Sequence, residues 1–441
     1  MVKLWDFLCS FSKKLQQSDI IRVFSLTALS TLVKMLTGFI SVKVVAIVIG
    51  PSGIALLGQL NNFSSIIMNI ASLGINQGVT KFVSEHKEED SIKIYISTAF
   101  RFVILGSLGC GIILILFHRF WSRVIMLSEA YDYVFIIFGF TVCLYAINNL
   151  FLSILNGYKA FKKYVFISMV SAILGAFFSI VLVLSFGLKG ALISTVTFQS
   201  VMLFVTLQML RKLPWFSWEY FKHKYNIVVG RKYMGYSLMT LVSVALVPVS
   251  QLILRGHIIV HISEIEAGWW EAMNRISGMY LMVITTSFSI YYLPRLAEIN
   301  DIKELRKEIF KAYKMIIPIL LVGFSFVYFT RFLIIRILFT PDFILMENLF
   351  IWQLIGDFFK IVSWLLAFLM LAKAMTKTFV ITEIFGGVLY IVLAFILMNF
   401  NGIVGIVQAY VINYIIYFFI MIYIFRNIIF LKKPQQGALS N

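Results

Sequence analysis

Charged residues are scarce in this chain, making up 13% of its 441 residues, whereas hydrophobic residues make up 61%. No soluble globular core of this length needs so much apolar surface. The apolar runs are long and continuous, and they do not alternate in ten-residue pieces as the strands of a membrane barrel would. In lipid, such runs satisfy their backbone groups as helices. The sequence therefore predicts an all-α polytopic membrane protein.

The chain also lacks the marks of several kinds of site. Its three cysteines, Cys9, Cys110 and Cys143, are scattered and have no metal-ligand spacing, so we interpret them as free thiols. It has no glycine-rich nucleotide loop of the Gly-x-x-x-x-Gly-Lys-Ser/Thr kind, which disfavours direct hydrolysis of ATP. We predict neither a metal nor a cofactor.

Acidic residues are few, 20 against 38 lysines and arginines, and the net charge is +18. In a soluble protein this excess would suggest a nucleic-acid partner, but here its placement indicates topology and contact with anionic lipid headgroups. When basic residues near the ends of the predicted spans are counted with the connecting segment that they adjoin, 28 fall in odd-numbered segments and 6 in even-numbered ones. By the positive-inside rule, both termini face the cytoplasm.

The apolar runs predict about twelve transmembrane helices joined by short connections. They cover 20–50, 54–82, 92–117, 133–156, 164–186, 189–211, 232–256, 269–292, 313–337, 349–372, 377–399 and 402–430.

The connecting segments divide these spans into two predicted lobes of six helices. Residues 1–19 have the pattern of a cytoplasmic amphipathic helix on the membrane surface. Residues 212–231 are rich in aromatic and basic residues, and we interpret them as a cytoplasmic interfacial linker between an N-lobe, 20–211, and a C-lobe, 232–430. Residues 431–441 form the predicted cytoplasmic tail.

Weak internal similarity supports the division. Gly53 and Gln59 are spaced like Gly268 and Asn274, at an offset of 215, and 79–83 resembles 293–297 at an offset of 214. A parallel duplication with six helices in each half would give two lobes around a central cavity, related by an axis along the membrane normal.

Two lysines inside the first predicted span, Lys34 and Lys43, are candidates for substrate binding. A lysine at the bilayer centre costs about 2.5–3.5 kcal/mol on insertion scales, so such residues usually face a bundle interior or a watery cavity. The alternative is that each ammonium snorkels to the headgroups. Lys34 lies nearer the midplane and is the stronger candidate.

Four further basic residues have both a functional and a structural interpretation. Lys81 and Arg295 hold equivalent cytoplasmic positions of the two halves and either guard the mouth of a cavity or anchor their helices. Arg275 suits the paired oxygens of a pyrophosphate, or it pairs with Glu271 one turn earlier. Arg255, predicted at the outer interface, is a weaker candidate.

Two carboxyls inside the predicted C-lobe spans are candidates for ion coupling, Asp357 and Glu383. Asp357 lies three residues from Lys360, and mutual neutralisation is the simpler interpretation. Glu383 has no partner near it in sequence, so it either pairs with a lysine from another helix or titrates and couples transport to an ion.

The opening quarter of the chain resembles the Wzx flippases, the lipid-linked oligosaccharide translocases of the multidrug/oligosaccharidyl-lipid/polysaccharide superfamily. The similarity is closest to the enterobacterial common antigen and O-antigen branch. It rests on Ser30-Thr31-Leu32-Val33-Lys34, Lys43, Gly50-Pro51-Ser52-Gly53-Ile54-Ala55 and Gly74-Ile75-Asn76-Gln77-Gly78-Val79-Thr80-Lys81.

This resemblance implies a transporter, not an enzyme, in the bacterial inner membrane. Its substrate would be an undecaprenyl-pyrophosphate-linked oligosaccharide repeat unit, moved from the inner to the outer leaflet by alternating access. Further implied partners are membrane lipids, a polysaccharide polymerase and a chain-length regulator.

The resemblance also implies a cationic cavity lined largely by the first, second, seventh and eighth helices. Lys34, Lys43 and Lys81 fall on the matching motif, whereas Arg255, Arg275 and Arg295 follow only from helix order. The arginine-rich first helix of the related peptidoglycan-precursor flippases is absent.

Two alternative functions stay open at this point. A multidrug exporter of the same superfamily is disfavoured because a cavity led by lysine and arginine repels organic cations. A membrane-embedded polysaccharide polymerase or ligase would be expected to need a substantial outer loop, and the outer connections here are short.

Overall fold

The computed structural model describes residues 19–86, 88–211, 216–221, 223, 226–299, 301–373 and 375–430. Within these ranges all regular secondary structure is helical, which confirms the predicted all-α class. Almost all of the predicted N-terminal surface helix and the whole tail at 431–441 lie outside the described residues, and the linker at 212–231 is described only in part.

Fifteen α-helices follow one another along the described chain. The first seven are α1 (Asp19–Ala71), α2 (Asn76–Glu85), α3 (Glu89–Leu116), α4 (His118–Ile125), α5 (Asp132–Gly157), α6 (Phe161–Leu210) and α7 (Ile227–His261). The others are α8 (Glu264–Ser287), α9 (Leu293–Glu298), α10 (Ile302–Phe329), α11 (Arg331–Leu338), α12 (Glu347–Ala372), α13 (Thr376–Asn401), α14 (Ile403–Ile424) and α15 (Arg426–Ile429). Short 3₁₀ turns occupy Glu129–Tyr131, Trp218–Phe221 and Pro341–Met346, and Phe288–Tyr292 is a π-helical turn.

The helices α1 and α6 are each interrupted by a glycine with positive φ. Gly50 in α1 has φ 62° and ψ −170°, and Gly187 in α6 has φ 55° and ψ −132°. Glycine adopts this conformation without the penalty that a Cβ would bring. Pro51 then suits the first position of the next helix, since its φ is already helical and its missing N–H has no helical partner there. Each of these long helices therefore continues from one predicted span into the next.

The predicted number of twelve spans is not confirmed. Nine helical segments among the described residues are long and apolar enough to cross a membrane, and the interrupted helices α1 and α6 are two of them. Helix α8 is not among the nine, because polar residues that include Glu271, Asn274 and Arg275 lower its hydropathy. The count of twelve therefore stays a prediction.

Two predicted spans have different bounds in the structure. The span predicted at 54–82 is broken at Leu73 and Gly74, which both have positive φ, so α1 ends at Ala71 and α2 begins at Asn76. The span predicted from residue 313 begins at Ile302, because the Asp301 side chain accepts a hydrogen bond from the Glu304 backbone N–H at 2.9 Å and caps the helix.

One turn recurs in the two halves of the sequence. Gly187 and Gly402 have nearly the same conformation, and three residues later Gly190 and Gly405 each pack against a backbone carbonyl eight residues earlier. A Cβ at either of these later positions would collide with that carbonyl. The two turns lie 215 residues apart, which is the offset of the glycine pair that indicated a duplication.

The described chain separates into two compact units. Unit 1 takes its residues from Met1–Ser41, Ile67–Ser122 and Glu129–Leu241. Unit 2 takes them from Val42–Ile66, Arg123–Ser128 and Val242–Asn441. The sequence offered no signal that the later part of α1 would belong with the second half of the chain.

Each unit has its own packed interior. In unit 1, helices α3 and α5 approach closely at Gly111 and Gly139, where a Cβ on either glycine would meet the backbone oxygen of the other within 2.8 Å. In unit 2, α12 forms the centre of an apolar cluster that includes Leu365 and Leu366 and packs against side chains of α10 and α14. This packing holds together the helices α8, α12 and α14, which carry polar residues described below.

Candidate functional site

Lys34 has an exposed side chain on α1, within unit 1. Among the described residues no hydrogen bond or ion pair holds its ammonium. Its backbone carbonyl accepts a hydrogen bond from the Thr37 hydroxyl at 3.1 Å. The structure therefore leaves the charge of Lys34 uncompensated by the described protein.

Lys43 lies in the part of α1 that belongs to unit 2, and its side chain caps the C-terminal end of α11. Its Nζ donates hydrogen bonds to the backbone oxygens of Phe339, at 2.6 Å, and Arg336, at 3.1 Å. These carbonyls belong to the C-terminal end of α11, where unpaired carbonyls and the helix dipole favour a cation. Sequence reasoning missed this role because the partners lie almost 300 residues away.

Lys81 and Arg295 both have carboxylate partners within their own unit. The Lys81 ammonium lies 3.7 Å from the carboxylate of Glu85, one helical turn later. The Arg295 guanidinium lies 3.1 Å from the Glu304 carboxylate and 3.9 Å from that of Glu308. The arrangement favours the interpretation of these residues as helix anchors.

Arg255, predicted at the outer end of a span, is completely buried within the protein. Its Nη2 donates to Oε2 of Glu271, and the other oxygen of that carboxylate accepts from Nε of Arg275 at 3.0 Å. The Arg255 guanidinium also lies over the Trp270 ring, 5.2 Å from its centroid. The pair of Glu271 and Arg275 is confirmed, but it is part of a larger cluster that joins α7 to α8.

The later part of α1 completes this cluster. A Cβ at Gly58 would lie 2.7 Å from the Glu271 carboxyl and 2.8 Å from the Arg255 guanidinium carbon, so only glycine leaves room for the pair. The next residue, Gln59, accepts a hydrogen bond from Arg255 Nη1 at 3.4 Å. Two guanidinium groups share one carboxylate here, and the buried Nε of Arg255 has no hydrogen-bond partner among the residues that the structure describes. The cluster therefore carries an excess positive charge.

Asp357 is fully buried and accepts hydrogen bonds from several side chains. Its Oδ2 accepts from Ser277 at 2.7 Å, from Gln353 at 3.3 Å and from the Tyr280 hydroxyl, and its Oδ1 accepts from Tyr410 at 2.7 Å. These donors come from α8, α12 and α14, so the carboxylate joins three helices. These hydrogen bonds favour a structural role for Asp357.

The expected direct pair of Asp357 and Lys360 is not present. Lys360 Nζ donates to the Tyr410 hydroxyl at 3.1 Å, and that hydroxyl in turn donates to Asp357. The ammonium also lies 5.1 Å from the ring centroid of Trp364 and 5.2 Å from that of Tyr414. A tyrosine therefore connects the two charges, and aromatic faces compensate the lysine.

Glu383 has a single hydrogen-bond partner among the described residues, the Tyr417 hydroxyl, which donates to its Oε1 at 2.9 Å. No lysine or arginine in the described part of the chain forms an ion pair with it. Glu383 is thus less constrained than Asp357.

A cavity of about 260 Å³ lies within unit 2, and sequence reasoning did not find it. Its walls come from α7, α8, α12, α13 and α14, and they include both Lys360 and Glu383. Tryptophans and tyrosines from four of these helices supply much of the remaining surface: Trp270, Trp364, Tyr390, Tyr410, Tyr414 and Tyr417. In the sequence such residues look like ordinary interfacial aromatics, so only the fold brings them together.

The sequence model of the family described as "Polysaccharide biosynthesis protein" matches residues 20–300. The chain belongs to this family. This confirms the relationship indicated by the opening motifs.

Curated relatives of this polysaccharide biosynthesis protein cover nearly its whole length. It is 27% identical over 393 residues to a protein named "Lipid III flippase" from Escherichia coli (strain K12), an alignment that covers 89% of this chain and 94% of that protein. A protein of the same name from Shigella flexneri matches with the same identity and coverage.

Solved structures show that its fold is that of membrane transporters. An inward-facing multidrug resistance MATE family transporter of the MOP superfamily aligns with a TM-score of 0.74 and 16% identity, over 95% of this chain and all of that one. The lipid II flippase MurJ, in an inward closed conformation, aligns with a TM-score of 0.70 and 16% identity, over 91% of this chain and 87% of that one. Together with the apolar helices, these similarities confirm the predicted polytopic membrane fold.

Proposed function

We propose that this protein is a flippase that moves undecaprenyl-pyrophosphate-linked oligosaccharide repeat units from the inner to the outer leaflet of the bacterial inner membrane. The observation that carries the proposal is the similarity to proteins named lipid III flippase over almost the full length of both chains. The protein is a transporter and not an enzyme. O-antigen or a related surface polysaccharide is the proposed destination of the repeat unit.

The physical obstacle in this reaction is the passage of the pyrophosphate and sugars through hydrocarbon, since the polyprenyl tail can stay in lipid throughout. A cavity that opens to one leaflet at a time would supply water, polar groups and cations to the head. Outward movement of an anion across an inside-negative membrane is favoured by about 2.3 kcal/mol per charge per 100 mV. The membrane potential alone therefore supplies direction if the protein's own charges do not move with the head.

Lys34 is the proposed principal contact for the pyrophosphate, because its ammonium has no partner among the described residues. The other cations are secondary in this proposal, because each already has a contact within the described protein that the pyrophosphate would have to replace. They are Lys43, Lys81, Arg255, Arg275 and Arg295.

Glu383 is the proposed site of any ion coupling, with Asp357 second. Glu383 lines the cavity of unit 2 and has one hydrogen-bond partner among the described residues, whereas Asp357 is fixed by four donors. A carboxyl that changes its ligand during transport must be free to exchange partners, and Glu383 meets this condition better.

The orientation, the two six-helix lobes and the polymerase and chain-length regulator as partners are also part of this proposal. Both termini are placed in the cytoplasm by the distribution of lysine and arginine. In a background without native cysteines, a single cysteine at Ser128 or Glu264 should react with a membrane-impermeant maleimide added outside, and one at Glu88 should not. Labelling of Glu88 alone would overturn the orientation.

The function is tested with purified protein in liposomes that contain a fluorescent undecaprenyl-pyrophosphate-linked oligosaccharide. With wild-type protein, the labelled head should appear in both leaflets, as detected with a quencher. In protein-free liposomes it should stay in the leaflet in which it was inserted. Protein that leaves the head in place but accumulates an organic cation such as ethidium would favour the multidrug exporter instead.

A further inference from the structure

The cavity of unit 2 has the dimensions and lining of a binding site for one sugar ring. We propose that it holds a single pyranose of the oligosaccharide head, an inference that rests on the proposed flippase function. Its volume of about 260 Å³ lies just below the usual range of small-molecule pockets, about 300–1,000 Å³. It would therefore accept one ring and not a whole repeat unit.

Aromatic side chains give the cavity the surface that a sugar ring needs. Trp270, Trp364, Tyr390 and Tyr414 line it from α8, α12, α13 and α14, and all but Tyr390 also have a cation over the ring. The axial C–H groups of a pyranose make an apolar face that packs against aromatic rings, while its hydroxyl groups point outward to polar partners. Aromatic residues that carry a polar tip combine both kinds of contact.

Two buried polar atoms in the cavity wall lack partners in the described protein. The Nδ2 of Asn274 is a donor and the Oδ1 of Asn413 is an acceptor, and neither forms a hydrogen bond. Unsatisfied buried groups are costly, so their presence in a cavity wall indicates a ligand that completes them. A hydroxyl group both donates and accepts, and a ring with several hydroxyls satisfies both asparagines.

The charges of the cavity favour a sugar over a metal cation, so the ion that Glu383 would couple in this account is a proton. One basic and one acidic side chain, Lys360 and Glu383, line the same cavity, so their formal charges balance. A metal cation would complete Asn413 and Glu383 but would leave the donor of Asn274 unpaired and would face the ammonium of Lys360. A neutral, polyhydroxylated ring meets all four groups.

Two test substitutions, Gly278→Leu and Asn413→Leu, and one control separate ligand binding from folding. Gly278 lines the cavity and a Cβ there would have no atom within 4 Å, so Gly278→Leu places a side chain in open space. Gly323 on α10 also has nothing within 4 Å of a Cβ but does not line the cavity, which makes Gly323→Leu the matched control. Asn413→Leu is nearly isosteric and removes a buried unpaired acceptor, so it should not weaken the fold.

The experiment measures saturation-transfer NMR from full-length protein in lipid nanodiscs to methyl β-glucoside and methyl N-acetyl-β-glucosaminide. The wild type and Gly323→Leu should bind at least one glycoside, and Gly278→Leu and Asn413→Leu should bind it at least tenfold more weakly at unchanged thermal stability. No binding by the wild type, or equal binding by all four proteins, would overturn the proposal. The proposal would also be overturned if sodium stabilised the protein, if Glu383→Gln removed this stabilisation, and if the protein bound neither glycoside.

Because binding is measured without transport, the flippase function and the sugar site can each be refuted independently. A wild type that binds the glycoside but does not flip the lipid-linked oligosaccharide would refute the flippase and keep the sugar site. A wild type that flips the lipid but binds no glycoside would refute only the sugar site.

Discussion

Lys34 in unit 1 and the buried cations of unit 2 are compensated to different degrees. In unit 1, Lys34 lies on an apolar helix without a partner among the described residues. In unit 2, Arg255 and Arg275 share Glu271, and Lys360 bonds to Tyr410. A cation that already has a partner stabilises the fold, and a substrate can use it only by replacing that partner. The comparison therefore assigns stability to the cations of unit 2 and substrate contact to Lys34.

The largest effect on stability is expected at Glu271. Glu271→Ala leaves two guanidinium groups without their carboxylate, and loss of one partner of a buried ion pair costs about 3–5 kcal/mol. Thermal unfolding in detergent should show a marked loss of stability. Glu264→Ala, an exposed position at the start of the same helix, is the control and should change little. Equal stability of the two variants would break the assignment of a structural role to the cluster.

A smaller and more informative difference in stability is expected between variants of the two carboxyls, Asp357 and Glu383, with the larger loss at Asp357. Asp357→Asn replaces an acceptor of four donors by a group that also carries hydrogens, and a hydrogen bond to a charged group is worth about 1.5–3 kcal/mol. Glu383→Gln keeps an oxygen for the Tyr417 hydroxyl, so its stability should be that of the wild type.

The Glu383→Gln variant also tests the proposal on ion coupling. If Glu383 couples transport to protons, Glu383→Gln should remove the pH dependence of flipping in liposomes at unchanged protein level. Unchanged rate and pH response in this variant would make Glu383 structural and leave the membrane potential as the driving force.

The smallest effect is expected at Lys43. Lys43→Met keeps the apolar stem but removes the cation that caps α11, and a charge at a helix end is worth about 0.3–1 kcal/mol. Stability should fall slightly, and the flipping rate should change by less than about twofold, since the ammonium is already occupied. A loss of flipping as large as that of a Lys34 variant would erase the distinction between the two lysines.

The sequence predicted the features that depend on local composition. Continuous apolar runs indicated helices in a membrane, and the spacing of Glu271 and Arg275 indicated their pair, which the structure contains. Glycines at an offset of 215 indicated a duplication, and the turns at Gly187 and Gly402 repeat at the same distance.

The contacts that sequence reasoning missed join residues far apart in the chain. Arg255 was predicted at the interface because it lies at the outer end of a predicted span, whereas its burial depends on the space left by Gly58. Lys360 lies near Asp357 in sequence, yet a tyrosine from another helix stands between them. Such arrangements depend on helix packing, which single-sequence patterns do not specify.

The central claim, that Lys34 contacts the pyrophosphate, is tested most directly by the flipping rate of three variants in the same liposomes. Lys34→Ala should lower the rate about 10- to 100-fold, since charge-assisted hydrogen bonds contribute about 1.5–3 kcal/mol and each 1.36 kcal/mol is a factor of ten. Lys34→Arg should retain part of the rate, and Lys43→Met should stay near the wild type. A wild-type rate for Lys34→Ala, at equal protein in the membrane, would contradict the account.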